Sequence, residues 1–409
     1  MAEQDVAVHF AAYLKARQAA DPLSPVARAW VARSAAPRAD LAWLDGFARR
    51  AQGAWARAAD LAELPENAPK LRDGNVALCA ATQQALAEVH TSGLWRADLD
   101  DRLRYAAVYA LNRNGEGGLA CSVACTDGLL RVLRRHPEGH AAALRRLEAM
   151  APQAWAHGAQ FVTEIQGGSD AGANALRASP RSDATFALHG QKWFCSNPTA
   201  DLWLVTARPD GAPAGPKGLG LFLVEAAAGG FTIERLKDKA GTRALATAEI
   251  RFEGAIGRPV GPLDRGLRTM VAEVLVPSRV HNIIAVAGFL RRAEREARAY
   301  ARTRLAFGRP IAEQPLVADV LARLAAAADL AEAGAFATVD AWRVAARPGA
   351  AAEDMMLARV LVSLHKAVAA RSAQGLLEEA MSVLGGNGIE ERFSVLPRLW
   401  RDSVILETW

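Results

Sequence analysis

Phe161-Val162-Thr163-Glu164-Ile165-Gln166-Gly167-Gly168-Ser169-Asp170, followed about twenty residues on by Gly190-Gln191-Lys192-Trp193-Phe194-Cys195-Ser196-Asn197, is the stretch on which the fold turns. Two adjacent glycines after a strand permit close backbone approach to a bulky ligand. Thr163 and Ser169 put hydroxyls at either end of that bend, where backbone N–H groups can face an anion. The same Gly-Gly-Ser-Asp run also makes an ordinary turn. In the second segment, an indole followed by small polar residues suits a flat ring system, and a strand tryptophan buried in a core is the competing reading.

Outward from these segments the hydrophobic period is that of strands. Ala246, Ala248, Ile250 and Phe252 alternate with Thr247, Glu249, Arg251 and Glu253, predicting a strand with one buried face. Leu202 to Thr206 and Leu219 to Val224 are apolar runs expected as deeply buried strands, Thr185 to His189 and Gln191 to Phe194 as adjoining strands around Gly190, and Pro209 to Pro216 as a loop. On both sides the spacing is helical. Helices are expected from Arg102 to Leu111 and from Leu119 to Arg135, closed by His136-Pro137, and later over Leu316 to Ala346 and Ala351 to Leu384. Ile283, Val286, Leu290, Ala293, Ala297 and Tyr300 form one apolar stripe. Arg291, Arg292, Arg295, Arg298 and Arg302 share that helix, diluted by Glu294 and Glu296, and read as a solvated face. The fold class is therefore α+β: an N-terminal helical domain over 1–157, a central β-barrel or sandwich domain over 158–262 and a C-terminal helical bundle over 263–409.

Composition narrows the function classes. The formal charge is +5, but 49 basic residues face 44 acidic ones with the signs interleaved, so DNA is not the expected main partner. Cys79, Cys121, Cys125 and Cys195 form no CxxC pair; Cys121 and Cys125 would share a helix face, with no histidine to complete a metal set. His189, His281 and His365 likewise lack spaced metal-site partners. Met1-Ala-Glu-Gln-Asp lacks a secretory pattern and no run of about 18 uncharged apolar residues occurs, so a cytoplasmic chain without a membrane span is expected.

Taken together, Thr163-Glu-x-x-x-Gly-Ser-Asp170 and Gly190-x-Lys-Trp193 resemble the flavin-binding signature of the acyl-CoA dehydrogenase superfamily. Glu234-Arg235-Leu236-Lys237-Asp238-Lys239, the Gly241-Thr242-Arg243 turn, Arg304-Leu-Ala-Phe307-Gly-Arg-Pro-Ile311 and Leu384-Gly385-Gly386-Asn387-Gly388 follow in that family's order. The Lys-Trp-Phe-Cys-Ser and Glu-Arg-Leu-Lys-Asp-Lys runs look closest to the AidB-like branch. The resemblance implies FAD as cofactor. Thr163 and backbone near Val162 would hold the flavin ring, Gly168 and Ser169 would lie at the pyrophosphate, Trp193 would cover one flavin face, and Phe194, Cys195 and Ser196 would line its edge. Arg304, Phe307, Gly385 and Gly386 would hold the adenosine-diphosphate half across a subunit interface, implying a homodimer or homotetramer. The implied activity is α,β-dehydrogenation of an acyl-CoA thioester, with electron-transfer flavoprotein as the acceptor. The alternative is an AidB-like flavoprotein of the alkylation-damage response with a DNA-associated role.

The sequence departs from the family where the base is expected. Relatives carry a catalytic Glu after a C-terminal aromatic residue, whereas the sequence stops at Glu407-Thr408-Trp409, so truncation of a longer protein is the expectation and Glu407 the substitute candidate. The alternative position, just before an Arg, is Ser278-Arg279; serine is no base at neutral pH, and Arg279 matches a position that faces substrate in relatives. Ser382 stands where many relatives place a Gln near the adenine.

Overall fold

The computed structural model describes residues 9–16 and 21–408; the N-terminal pentapeptide and Trp409, both used above, lie outside the described residues. The first half is helical: α1 (Pro25–Val31), α2 (Arg38–Gln52), α3 (Ala54–Ala62), α4 (Ala80–His90), α5 (Asp101–Asn112), α6 (Ala120–Arg135) and α7 (Ala141–Leu147), with a short hairpin of β1 (Lys70–Arg72) and β2 (Asn75–Ala77) between α3 and α4. Local chemistry sets several boundaries. The Asp100 carboxylate accepts the Arg102 N–H at 2.7 Å and so caps α5, and Ser24 caps α1 by accepting from Ala27 at 3.0 Å, with Pro25 in the first turn.

Seven strands follow: β3 (Gly158–Phe161), β4 (Arg177–Pro180), β5 (Phe186–Ser196), β6 (Leu202–Pro209), β7 (Gly220–Glu225), β8 (Phe231–Leu236) and β9 (Thr247–Pro259). β6 pairs with β4 and β7, β7 with β9, β9 with β5, and β5 with β4, so these five close into a small barrel, with β3 added on β6 and β8 on β9. Closure removes most of the exposed sheet edge. The uniform hydrophobicity of β6 and β7 then has a simple cause. Trp203, Val205, Phe222 and Val224 point into the barrel beside Phe161 and Phe252, while Leu202, Leu204, Leu221 and Leu223 belong to the core shared with the flanking helices. A strand buried on both faces needs apolar residues at every position. β9 has one face outward, and there Arg251 and Glu253 are exposed. The two short strands expected around Gly190 are one strand, β5. Gly190 sits at φ +134°, with its Cα facing Leu176 so closely that a Cβ would lie 3.2 Å from the Leu176 Cα, and glycine lets the strand pass.

The chain returns to helix with α8 (Gly266–Met270), a π turn (Val271–Leu275), α9 (Val276–Thr303), α10 (Pro315–Ala345), α11 (Ala352–Leu384) and α12 (Leu396–Thr408), with a two-residue hairpin, β10 (Leu305–Ala306) and β11 (Arg309–Pro310), between α9 and α10. The π turn ends two residues before Pro277, whose missing N–H cannot continue an α-helical ladder. The run Leu263–Thr303 is long and apolar enough to cross a membrane by length and composition, but its apolar window is 67% buried inside the fold. The expected solvated arginine face on α9 is largely tied down. Arg291 is buried and pairs with Glu332 of α10, with Nε 2.8 Å and one terminal nitrogen 3.0 Å from its carboxylate, while Arg292 meets Glu296 at 2.6 Å. Tyr109 (2.5 Å) and Ser24 (2.7 Å) also donate to Glu332, so four elements share one fully buried carboxylate. The Arg292–Glu296 pair is local to α9, whereas Glu332 was invisible in the local pattern because it lies in another helix.

Candidate functional site

The glycine bend and the indole meet. The Trp193 backbone N–H donates to the Thr163 carbonyl at 2.8 Å, directly joining the end of β3 to β5. Lys192, fully buried, sends its ammonium to the Val162 carbonyl at 2.9 Å, the Glu164 carboxylate at 2.7 Å and Thr206 Oγ1 at 3.2 Å. Burial pushes the Lys192 ammonium below its ordinary range, and the Glu164 charge opposes that. The other Glu164 oxygen accepts the Ala175 N–H at 2.6 Å, so one ion pair fixes both limbs of the bend. Inside the bend, Gly167 has φ +117° and bridges to Glu164, and a Cβ on Gly168 would come within 2.8 Å of Thr163 Oγ1. Ser169 is exposed.

Trp193 and Phe194 occupy a bulge. The β5–β9 register runs Lys192↔Ile250 and then Cys195↔Ala248, so both residues stand opposite Glu249. Bulges re-aim side chains, and Phe194 is held at φ +58°, an unusual conformation for a bulky residue, with 55% of it exposed. The Lys237 ammonium lies 3.3 Å from the Trp193 ring centroid and 4.6 Å from that of Phe194, with its charge matched by the buried Glu249 carboxylate at 2.5 Å. Cys195 turns inward and is fully buried in the barrel core, where burial pushes its thiol well up. Ser196 Oγ stands 3.0 Å from Thr247 Oγ1, and Lys239 Nζ donates to the same Thr247 oxygen at 2.8 Å. An ammonium can only donate, so Thr247 Oγ1 accepts from Lys239, and the two hydroxyls share one hydrogen bond in which either can be the donor. Lys237, Lys239, Ala246 and Thr247 line a cleft of ≈ 280 Å³ beside these residues.

The second predicted set lies elsewhere, at one end of the C-terminal bundle. Phe307 tips the β10–β11 hairpin at φ +54° and is 95% exposed; Arg304 ends α9 at its base. Gly385 (φ +61°) and Gly386 follow α11 in open space, and the neighbouring Asn387 amide donates to the Tyr300 hydroxyl at 3.3 Å, one turn before Arg304. Ser382 is occupied with its own helix, donating to the Glu378 carbonyl at 2.9 Å. Arg279 is exposed on α9 and, after burial, its positive charge helps to lower the Lys366 ammonium's pKa. Glu407 is engaged: its carboxylate accepts from Gln374 at 2.7 Å and lies 3.7 Å from Arg371, while its backbone carbonyl accepts from Lys366 at 2.7 Å. Ser278 is buried with Oγ unpartnered.

Behind the site runs a polar chain that the sequence did not suggest. Trp95 donates to His90 Nδ1 at 3.0 Å, His90 Nε2 meets Ser122 Oγ at 2.9 Å, and Ser122 Oγ meets His157 Nδ1 at 2.9 Å. His157 Nε2 then meets the Thr199 carbonyl at 3.2 Å, next to Asn197, whose amide holds the Gly158 carbonyl at 2.9 Å. Indole and carbonyl ends fix the direction, leaving both imidazoles neutral. Burial lowers both pKa values, His90 the more deeply. A histidine depressed in the folded state stabilises fully above about pH 6.5 and loses that contribution as pH falls below it. His90 and His157 are therefore expected to titrate below the ordinary imidazole range in an NMR titration, and the wild type should lose stability relative to His90→Gln as pH falls from about 6.5. Ordinary titration of both rings near pH 6.5 would contradict the relay.

The residues fit a large, flat, partly polar group: an exposed aromatic bulge, the hydroxyls of Thr163, Ser169 and Ser196, and an opened glycine bend. They do not fit a metal, and no group of three or more His, Cys, Asp or Glu able to hold one exists among the described residues. The acyl-CoA dehydrogenase middle domain family matches residues 159–255 and the acyl-CoA dehydrogenase C-terminal domain family residues 264–409. Acyl-CoA dehydrogenase family member 11 of Caenorhabditis elegans is 32% identical over 339 residues, 75% of this chain and 52% of that protein. AidB of Escherichia coli (strain K12) is 34% identical over 253 residues, 61% of this chain and 44% of AidB. The chain thus spans about half the length of these relatives. Among solved structures, Bd2924 in its apo-form superposes with TM-score 0.86 at 27% identity, covering 94% of this chain and 82% of that one. Caenorhabditis elegans ACDH-11 in complex with C11-CoA gives 0.84 at 25% identity, covering 94% and 70%. By its helical–β–helical fold and both matched domains, this chain belongs to the acyl-CoA dehydrogenase superfamily, with AidB among its relatives.

Proposed function

We propose that this protein binds FAD and serves the α,β-dehydrogenation of an acyl-CoA thioester. The observation that carries the reading is the junction of the glycine bend with the bulged Trp193-Phe194 pair through the Trp193 N–H and Thr163 carbonyl. FAD, when bound, supplies the acceptor for the hydride that leaves the β-carbon. The chain's own part is placement. Thr163 and the Val162 backbone border the ring, and Trp193 offers one face while Lys237 occupies the other. Ser196, paired with Thr247 beneath it, sets a hydroxyl at the ring edge. Ser169 and the N–H groups of the bend suit the diphosphate. Arg304, with the exposed Phe307 and the open Gly385 and Gly386, all distant in the fold, suits the adenosine half delivered by a second subunit. Exposed Met356, Leu364 and Val368 along α11 supply apolar surface for such self-association.

Trp193→Ala is the direct test. The purified wild-type chain is expected to be yellow, and the variant to retain flavin at least about tenfold less tightly, as loss of one aromatic stacking partner implies. A colourless wild type that takes up no FAD would overturn the reading. The 34% identity to AidB supports a second reading, an AidB-like flavoprotein of the alkylation-damage response. A salt-sensitive shift of duplex DNA without acyl-CoA bleaching of the flavin would favour it.

A further inference from the structure

A second cleft, of ≈ 390 Å³, lies far from this chemistry, between the α2–α3 corner and α9. Arg49, Arg57, Arg113, Arg292 and Arg295 line it against only two carboxylates, Asp60 and Glu296. Asp60 is committed to Arg398 outside the lining at 3.0 Å, and Glu296 offsets Arg292 at 2.6 Å, which leaves Arg49, Arg57, Arg113 and Arg295 in excess. Arg113 is the telling residue. It is 95% buried, since only 5% of it is exposed, and its Nε has no hydrogen-bond partner, although one terminal nitrogen donates to the Pro22 carbonyl. Burial first, and then the neighbouring charges of Arg295 and Arg292, push it down to about 9. The fold forces this crowding: a Cβ on Gly288 of α9 would lie 3.1 Å from the Tyr109 carbonyl and 3.2 Å from the Arg113 nitrogen, so α5 and α9 touch there and bring Arg113 over the arginine turn of α9.

A buried guanidinium with an idle donor and cationic neighbours is costly unless an anion completes it. We infer that this arginine-lined cleft binds a small phosphate compound, with Arg113 at its floor and Arg57 and Arg49 at its mouth. Guanidinium forks match tetrahedral phosphate oxygens in pairs, and several forks from different helices favour a di- or polyanion over a single carboxylate. A concave corner of ≈ 390 Å³ suits a small molecule better than a nucleic-acid duplex.

Inorganic pyrophosphate is the probe. Calorimetric titration into the 409-residue chain as purified, at constant ionic strength, is expected to show saturable binding of one molecule per chain. Arg113→Gln and Arg57→Glu should each weaken it at least tenfold. Arg57 is exposed, so its replacement keeps the test valid should the buried variant fail to fold. A short DNA duplex should not compete. Absence of saturable binding, or binding equally tight in Arg57→Glu, would overturn the proposal, as would displacement by duplex at equal phosphate concentration.

Discussion

Replacing Lys192 with Met is expected to cost about 3–5 kcal/mol of stability, because it strands the Glu164 carboxylate, itself 95% buried, without its cation. The same change frees the Val162 carbonyl and Thr206 Oγ1, so the bend that carries Thr163 loses its tether to β5. Two readouts should move together, a lower unfolding midpoint in urea and a loss of retained flavin, while the outer helical bundle keeps its far-ultraviolet signal. Pairing Lys192→Met with Glu164→Gln should recover much of the stability, since both charges are then gone, but not the bend geometry. Equal stability of the single variant and the wild type would refute the ion pair as the anchor of the site.

That anchor shows what a linear reading can and cannot reach. Ala248, Ile250 and Phe252 were readable as one face of a strand because alternation is local, and the unbroken runs in β6 and β7 signalled burial on both sides. The converging pair of segments was readable because its glycines and indole have distinctive stereochemistry. The bulge at Trp193 and Phe194 was not, because it is a property of the register with β9, more than fifty residues on. Lys192 and Glu164 both stand inside the quoted motifs, yet no spacing rule pairs residues 28 apart. The same holds for Arg291 with Glu332, 41 apart, which turned an expected solvated face into a buried network. Lys237 and Lys239, in the quoted Glu234 to Lys239 run, could have been flagged by their alternation, which sets both beside Glu249 and Thr247. Thus the apolar frame was legible from period, whereas polar connections depended on which surfaces the frame brought face to face.

The same frame allows activity to be gained. Dehydrogenation by these 409 residues is expected to be slow. Ser278 cannot take a proton at neutral pH, and Gln374 and Arg371 hold the Glu407 carboxylate against α11. Ser278→Glu should raise the rate of flavin bleaching by acyl-CoA about 10²–10⁴-fold, the usual worth of a positioned general base. The position favours this: Ser278 follows the π turn on α9, is only 2% exposed, and has no partner for its hydroxyl, so a carboxylate there enters a dry environment that raises its proton affinity. Arg279, adjacent and exposed, keeps a cation near enough to limit that rise. Ser278→Gln, of matching size and without charge, separates base catalysis from repacking and should leave the rate at the wild-type level. Anaerobic stopped-flow with thioesters of several chain lengths measures bleaching, and exchange of the substrate α-proton in D2O measures proton abstraction apart from hydride transfer. If the Glu variant holds its flavin and binds thioester yet neither bleaches nor exchanges faster than the Gln variant, position 278 does not face the α-carbon, and the base must come from another element.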